Sequence, residues 1–271
     1  VFRGDGKTIP KAICVRLGDH GELSTCFNPE TLSYEVVWKG GFIKFSPTRH
    51  GFVDGLIMNG TPIPPPAATK PDGKLAYRGL YRNGNRVVFA YQIGDKHYLD
   101  SPWVKDGEFV RTVVEANDPT LSPLIQGGPA QWPQVFKTQG KLGAERPYAI
   151  DTIEPPFDNP WKAPLFFGDH DFLADGSAMI CTMGGDVWHV DGLDATLENV
   201  RWRRFASGLH HALGLVVHDG LVHVLGRDQI TRLHDLNGDG EADFYECLTN
   251  AYTTSPAGHD FICGLQRDAA G

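Results

Sequence analysis

The chain is poor in the features that announce several common functions. No stretch approaches the ~18 consecutive apolar residues of a membrane span, so none is expected. The five cysteines, Cys14, Cys26, Cys181, Cys247 and Cys263, form neither a CxxC nor a CxxCH pattern, which excludes a zinc ribbon or an attached c-type haem in this stretch. There is no Gly-rich phosphate loop ending in Lys-Ser or Lys-Thr, and no Gly-x-Ser-x-Gly elbow. Gly4-Asp5-Gly6 lacks the strand, third glycine and helix of a dinucleotide site. Basic clusters are missing too: 25 Lys and Arg stand against 33 Asp and Glu, a formal charge of −8, which sets aside nucleic acid and anionic membranes as partners. Long amphipathic helical stretches are scarce. What is present in 271 residues is 32 Gly, 19 Pro and 11% aromatics, the composition of an all-β fold rich in turns.

Residues 1–115 read as an N-terminal β module, a sandwich or meander, with strands at Lys11–Leu17, Glu35–Trp38, Phe42–Phe45, Arg86–Ile93, Lys96–Leu99 and Glu108–Glu115. Tyr81-Arg82-Asn83-Gly84-Asn85-Arg86-Val87 is the clearest hairpin, because Asn-Gly tolerates the positive φ such turns require. Pro62 to Pro71 is expected as a surface loop, since proline supplies no ladder donor. Prolines recur through 116–161, which reads as a linker or wrapping segment. An odd cysteine count leaves at least one thiol unpaired within the monomer. Cys14 and Cys26 are spaced to bridge a hairpin, while Cys181 and Cys263 read as buried, inert thiols in apolar strands.

A repeat follows in 162–271. Asp175-Gly176 and Asp219-Gly220 are turns, each leading into an apolar strand, Ala178–Thr182 or Leu221–Leu225, with a further strand beginning at Val187 or Ile230. A third copy is expected from Asp260 to Leu265. A period of about 40–45 residues with several short strands is the pattern of β-propeller blades. Only about two and a half blades are visible, and a propeller closes with roughly four to eight. The chain, which begins at Val1 without a methionine, is therefore expected to be a processed form or piece of a longer protein that continues past Gly271.

Between two of these strands lies the best chemical signal. Asp235, Asn237, Asp239, Asp243 and Glu246 fall at positions 1, 3, 5, 9 and 12 of a calcium loop, with Gly240 at the sharp turn and the Glu241 carbonyl at position 7. Calcium takes six to eight oxygens, and acidic side chains on alternate residues of a tight turn converge on it. The flanks are strand-like rather than helical, so the ion is expected to be a structural staple. An ordinary Asn-Gly-Asp-Gly turn is the alternative.

Gln131-Trp132-Pro133 to Gly143, Asp151-Thr152-Ile153, Asp158–Trp161, Gly168–Asp171, Gly185–Trp188, Trp202–Leu209, Leu213–Leu215, Gly226–Glu246 and Gly258–Phe261 carry a resemblance. They are similar to a family of large secreted bacterial proteins with an N-terminal domain of unknown function, a propeller like that of glucose/sorbosone dehydrogenases and usually a c-type cytochrome domain. The match is looser over 1–115. The resemblance implies a periplasmic or extracellular, haem-associated oxidoreductase. It would oxidise a small carbohydrate or polyol with pyrroloquinoline quinone and pass electrons to a c-type cytochrome, its haem lying outside this chain. It also implies a histidine base. His259 is the candidate, with Asp260 orienting it, because imidazole titrates near neutrality. A blade-edge structural role is the competing reading, favoured by recurrence of the context at His170 in Gly168-Asp169-His170-Asp171-Phe172.

His210, His211, His218, His223 and His234 lack the spacing of a zinc or copper site. Arg227 and Asp228 are placed either to meet an anionic cofactor or to pair with each other. The second functional reading is a non-catalytic secreted scaffold, also stapled by calcium, that binds carbohydrate or protein through Trp38, Trp103 or Trp132.

Overall fold

The computed structural model describes residues 1–45, 55–67, 72–255 and 260–268. It divides into two compact units, Val1–Pro129 with Asp243–Asp260, and Ala130–Ala242 with Phe261–Gly271. Almost all regular structure is β, and among the described residues no sheet closes on itself. The Pro-rich stretch 116–161 is shared between the units. It forms a 3-10 turn at Pro119–Leu124 in the first and short strands in the second.

The first unit runs through β1 (Phe2–Gly4), β2 (Lys7–Ile9), β3 (Ile13–Leu17), β4 (Leu23–Asn28), β5 (Ser33–Lys39), β6 (Ile43–Phe45), β7 (Leu56–Met58) and β8 (Thr61–Ile63). It continues as β9 (Leu75–Asn83), β10 (Arg86–Ile93), β11 (Lys96–Lys105) and β12 (Glu108–Glu115). The second unit holds β13 (Val135–Thr138), β14 (Gly140–Lys141), β15 (Thr152–Ile153), β16 (Phe167–Phe172) and β17 (Ala178–Thr182). There follow β18 (Val187–Asp191), β19 (Val200–Ala206), β20 (Gly214–His218), β21 (Leu221–Leu225) and β22 (Ile230–His234), and β23 (Phe244–Thr249) returns to the first unit.

In the first unit β9 to β12 form an antiparallel meander in chain order, with β23 added beside β9. Two four-stranded sheets, β2-β1-β7-β6 and β3-β4-β5-β8, complete it. Alternation along β5 turns Tyr34, Val36 and Trp38 to one face, and all three are buried. Phe27 stacks on Phe89 with ring centroids 4.2 Å apart, and Trp38 stacks on Phe2 at 5.5 Å while donating from Nε1 to the Phe42 carbonyl at 2.8 Å.

The hairpin expected over residues 81–87 is present: Asn83 pairs with Arg86, the turn is Gly84-Asn85, and Gly84 takes the positive φ of 57° that a first central position favours. Two expectations need correction here. Thr61–Ile63 is a strand, not a loop: Pro62 sits opposite Trp38 on the edge strand β8, where a missing donor costs no ladder bond. Residues 64–67 are irregular, and 68–71 lie outside the described residues. Trp38 is fully buried and presents no ring for a glycan; Trp103 is stacked under Arg86 at 4.2 Å and Trp132 under Arg204 at 4.7 Å.

In the second unit, β16 to β19 form an antiparallel meander with β13 on the outer edge of β19. Trp188, Val190, Val200 and Trp202 make its core. Strands β20, β21 and β22 repeat the pattern, and β17 and β21 coincide with the two strands read from the sequence repeat. Asp219 and Gly220 both have positive φ, 50° and 75°, as a type I′ hairpin requires. Residues 260–268 form no strand, so the expected third strand is absent there; Gly264 N donates to the Leu213 carbonyl at 3.0 Å. Cys263, expected to be buried in that strand, is exposed.

Candidate functional site

The strands β16 and β20 are tied by two side chains. Asp169 Oδ2 accepts from Leu215 N at 3.0 Å and Asp171 Oδ2 from Val217 N at 2.8 Å, while the other oxygen of each accepts a neighbouring backbone N–H. In the Gly-Asp-His-Asp-Phe motif it is therefore the aspartates that make the backbone bonds. His170 is exposed and lies edge-on to Phe172. The alternating Asp-x-Asp was the available signal, because period 2 places both carboxylates on one face of a strand.

Just before β20 and just after β21 the chain gathers buried polar groups. Arg227 is 3% exposed, its N–H donates to the His210 carbonyl at 2.9 Å, and Gln229 beside it is buried and bonds Thr231 Oγ1 at 2.8 Å. His210 and His211 lie with ring centroids 4.9 Å apart, and Phe261 is 5.8 Å from His211. His211 has φ 49°, which brings its ring back toward this group from the loop ahead of β20. Burial, then the Arg227 charge, pushes His211 down to about 4, and His210 is lowered well below the ordinary histidine range, chiefly by burial. Both rings are neutral at pH 7. Sequence spacing gave no transition-metal motif, and the structure brings His218 and His223 together separately, on the β20–β21 hairpin, at 6.2 Å.

A histidine whose pKa is depressed in the fold is protonated first in the unfolded chain. Its contribution is complete above pH 6.5 and is lost as pH falls from there to about 4. The expected loss is at most about 3 kcal/mol, reduced by whatever solvent reaches the ring. Urea midpoints measured between pH 7.5 and 4.5 check this. The slope should flatten in His211→Asn, which keeps a residue tolerant of positive φ, and an unchanged slope would remove His211 from the account.

In the calcium-type loop, the part in the second unit is tightly organised. Asp235 Oδ1 accepts from Gly238 N at 2.7 Å and Asp239 N at 3.2 Å, and Oδ2 from Gly240 N at 2.7 Å. Asn237 Oδ1 accepts from Asp239 N, and Asp239 Oδ1 from Glu241 N, both at 3.0 Å. Gly238 and Gly240 supply positive φ of 75° and 82°. The Glu241 carboxylate turns away to the amides of Gln131 and Trp132, at 2.7 and 2.9 Å, so only its carbonyl is available to the loop, as position 7 requires. Arg203 donates to the Asp239 carbonyl from outside. In the first unit Asp243 Oδ1 accepts from Gly128 N at 3.1 Å and Glu246 sits on β23 opposite Gly79.

The donors are the hard oxygens calcium takes, and each carboxylate bonded to amides retains further lone pairs. Among the described residues, however, no three His, Cys, Asp or Glu side chains are grouped to hold a metal. The other predicted site residues are less informative: Asp260 is exposed, and His259 lies outside the described residues.

A fold of short antiparallel meanders with a buried arginine–histidine group is the class these observations define. Part of the first unit has a family match: the Domain of unknown function (DUF6797) matches residues 25–71 and 61–100. That agrees with an N-terminal domain of unknown function. No curated protein sequence matches the chain. No helix among the described residues is long and apolar enough to cross a membrane.

Proposed function

We propose that the second unit supplies consecutive blades of a β-propeller in a periplasmic or extracellular protein. In this reading the whole protein is a calcium-stapled, quinone-dependent sugar or polyol dehydrogenase that delivers electrons to a c-type cytochrome. The observation that supports it is Arg227: a buried cation beside two neutral imidazoles, between the ends of β20 and β21, is a place for an anionic ligand such as a quinone carboxylate. The bound quinone would supply the two-electron acceptor. Arg227 would neutralise its carboxylate, His211 would offer a ring nitrogen for orientation, and the proton from the substrate hydroxyl would go to His259, with Asp260 beside it. The laddered contact of β16 with β20 through Asp169 and Asp171 is how successive innermost propeller strands would be held. The scaffold reading is weakened by the burial of Trp38 and the stacking of Trp103 and Trp132 under arginines.

The test begins with pyrroloquinoline quinone titrated onto the calcium-loaded protein, followed by absorbance, and then dye reduction with a panel of aldoses and polyols. Arg227→Ala is expected to weaken quinone binding at least about tenfold, the value of one charge-assisted contact. Absence of both quinone binding and dye reduction would return the protein to the scaffold reading. Removing calcium with a chelator should lower the melting temperature, by an amount equivalent to about 3–4 kcal/mol at a saturation of 100 to 1,000 times Kd. An unchanged melting curve in protein shown by elemental analysis to be metal-free would leave Asp235 to Glu246 as an ordinary turn.

A further inference from the structure

The first unit holds two thiols face to face. Cys14 on β3 and Cys26 on β4 are direct cross-strand partners, flanked by the pairs Ile13–Phe27 and Val15–Thr25. Directly opposed residues of an antiparallel pair have Cα atoms about 4.5 or 5.5 Å apart, and a disulfide spans Cα separations of about 4.4–6.8 Å. Opposed residues also point to the same face of the sheet. Here that face belongs to the cluster of Phe2, Ile9, Val36 and Trp38, with Cys26 fully buried and Cys14 half-buried at its margin. The facing Cys14 thiol, together with burial, pushes the Cys26 thiol up. The remaining cysteines have no such arrangement in this structure: Cys181 donates to the Ala212 carbonyl in the second unit, Cys247 is in the aromatic core of the first, and Cys263 is exposed.

We propose that Cys14 and Cys26 form a reversible dithiol–disulfide couple that exchanges with small disulfides of the glutathione class. Exposure assigns the roles. The Cys14 thiolate attacks one sulfur of glutathione disulfide, its S–S bond breaks, and one glutathione leaves as thiolate. Cys26 then attacks the Cys14 sulfur of the mixed disulfide and expels the second glutathione, which departs with the Cys26 proton. The protein loses two protons and two electrons, and one glutathione disulfide becomes two thiols. The product is a short cross-link between β3 and β4, requiring no strand to move out of register because the pair is already in register. The couple does not depend on the oxidoreductase reading.

Peptide mapping of the whole chain tests it. The reduced protein is exposed to glutathione disulfide at pH 8, quenched by alkylation and digested with trypsin without reductant. Cleavage after Lys11, Arg16 and Lys39 puts Cys14 in residues 12–16 and Cys26 in residues 17–39, so the cross-link appears as one joined pair of peptides. The expected result is that pair, at the sum of the two peptide masses less two hydrogens, together with a melting temperature several degrees higher that reverts with dithiothreitol. Cys26→Ala should stop at a glutathione adduct on Cys14, and Cys14→Ala should leave Cys26 unmodified. Recovery of the wild-type peptides separately, both alkylated or with a lasting adduct on Cys14, overturns the proposal whatever the variants do.

Discussion

Arg111→Met is expected to cost the first unit about 3–5 kcal/mol, because it strips a buried carboxylate of the cation it pairs with. Asp100 on β11 is 0% exposed, and Arg111 Nη2 on β12 is 2.5 Å from its Oδ2. The register makes this contact inevitable: Arg111 faces Pro102, so it is the diagonal neighbour of Asp100, two residues along the same face. Tyr91 Oη lies 3.3 Å from the same oxygen, and the guanidinium stands over the Tyr34 ring at 5.2 Å. Burial holds the Asp100 carboxyl above its ordinary range, with the Arg111 charge and the Tyr34 and Tyr91 hydroxyls pulling it back. Without Arg111 the first effect is unopposed by charge. A carboxyl whose folded pKa rises above its unfolded value binds its proton more readily in the fold, so the deficit of the variant should be largest near pH 7 and shrink on acidification. That sign is opposite to the histidine effect in the second unit, which makes the two separable. The double variant Asp100→Asn/Arg111→Met should regain most of the loss. Guanidinium denaturation at pH 7 and pH 5 measures all three proteins, and a loss below about 1 kcal/mol in the single variant would show that solvent reaches Asp100 and that the pair is an ordinary surface one.

Whether this pair was legible in the sequence depends on register, and register is what a single sequence hides. Strands β10 and β12 were read with the bounds they have, because turn residues bracket runs of β-formers. Strand β9 was missed. Gly79 interrupts its apolar pattern, and the reason is tertiary: with φ 134° and no side chain, Gly79 leaves room for the β23 backbone at Tyr245 and Glu246. Strand β4 is hard to see in the sequence because Ser24 and Thr25 break its apolar content. Both are buried, and their hydroxyls are used by the carbonyls of Gly41 and Val36 at 2.9 and 3.0 Å. The repeat in the second unit is easy to see, since local turn chemistry and period 2 both survive in its first two copies. Asp260–Leu265 has the apolar content of a third, yet forms no strand there: Gly264 N bonds the Leu213 carbonyl without a ladder following.

The candidate site was legible only in part, for a similar reason. The spacing of Asp235 to Glu246 is a local pattern, and the turn it encodes is present, with Asp235 collecting three backbone amides. The group around Arg227 is not local. Its members come from the loop before β20 and the end of β21, and what makes it chemically distinct is burial, which lowers His210 and His211. No spacing rule expresses burial. Histidines close together in sequence were visible; which of them would lose water was not.

Arg204 in the second unit is the sharpest case of a residue whose weight the sequence conceals, and Arg204→Ala is expected to destabilise by about 3–5 kcal/mol. Its side chain is 11% exposed and its Nη2 lies 2.5 Å from Asp186 Oδ1, itself 5% exposed, with a second bond to Ser207 Oγ at 2.8 Å. The same guanidinium stands 4.7 Å from the centroid of Trp132 and 5.2 Å from that of Trp161. Three segments far apart in the chain thus meet on one planar cation: the stretch before β13, the loop before β16 and the β17–β18 turn. Planarity matters here, since each stacked ring adds about 0.5–2 kcal/mol when water is excluded. Arg204→Lys keeps the charge but offers a compact ammonium in place of the flat fork, so it should recover only part of the loss, about half. Arg204→Ala/Asp186→Ala should be less damaging than the sum of its parts, because removing both charges leaves no buried carboxylate unpaired. Tryptophan fluorescence follows unfolding and local packing together: a red shift in native Arg204→Ala, before denaturant is added, would report water reaching Trp132 and Trp161. If Arg204→Lys matches the wild-type protein in both stability and spectrum, stacking contributes nothing and the charge alone holds the three segments.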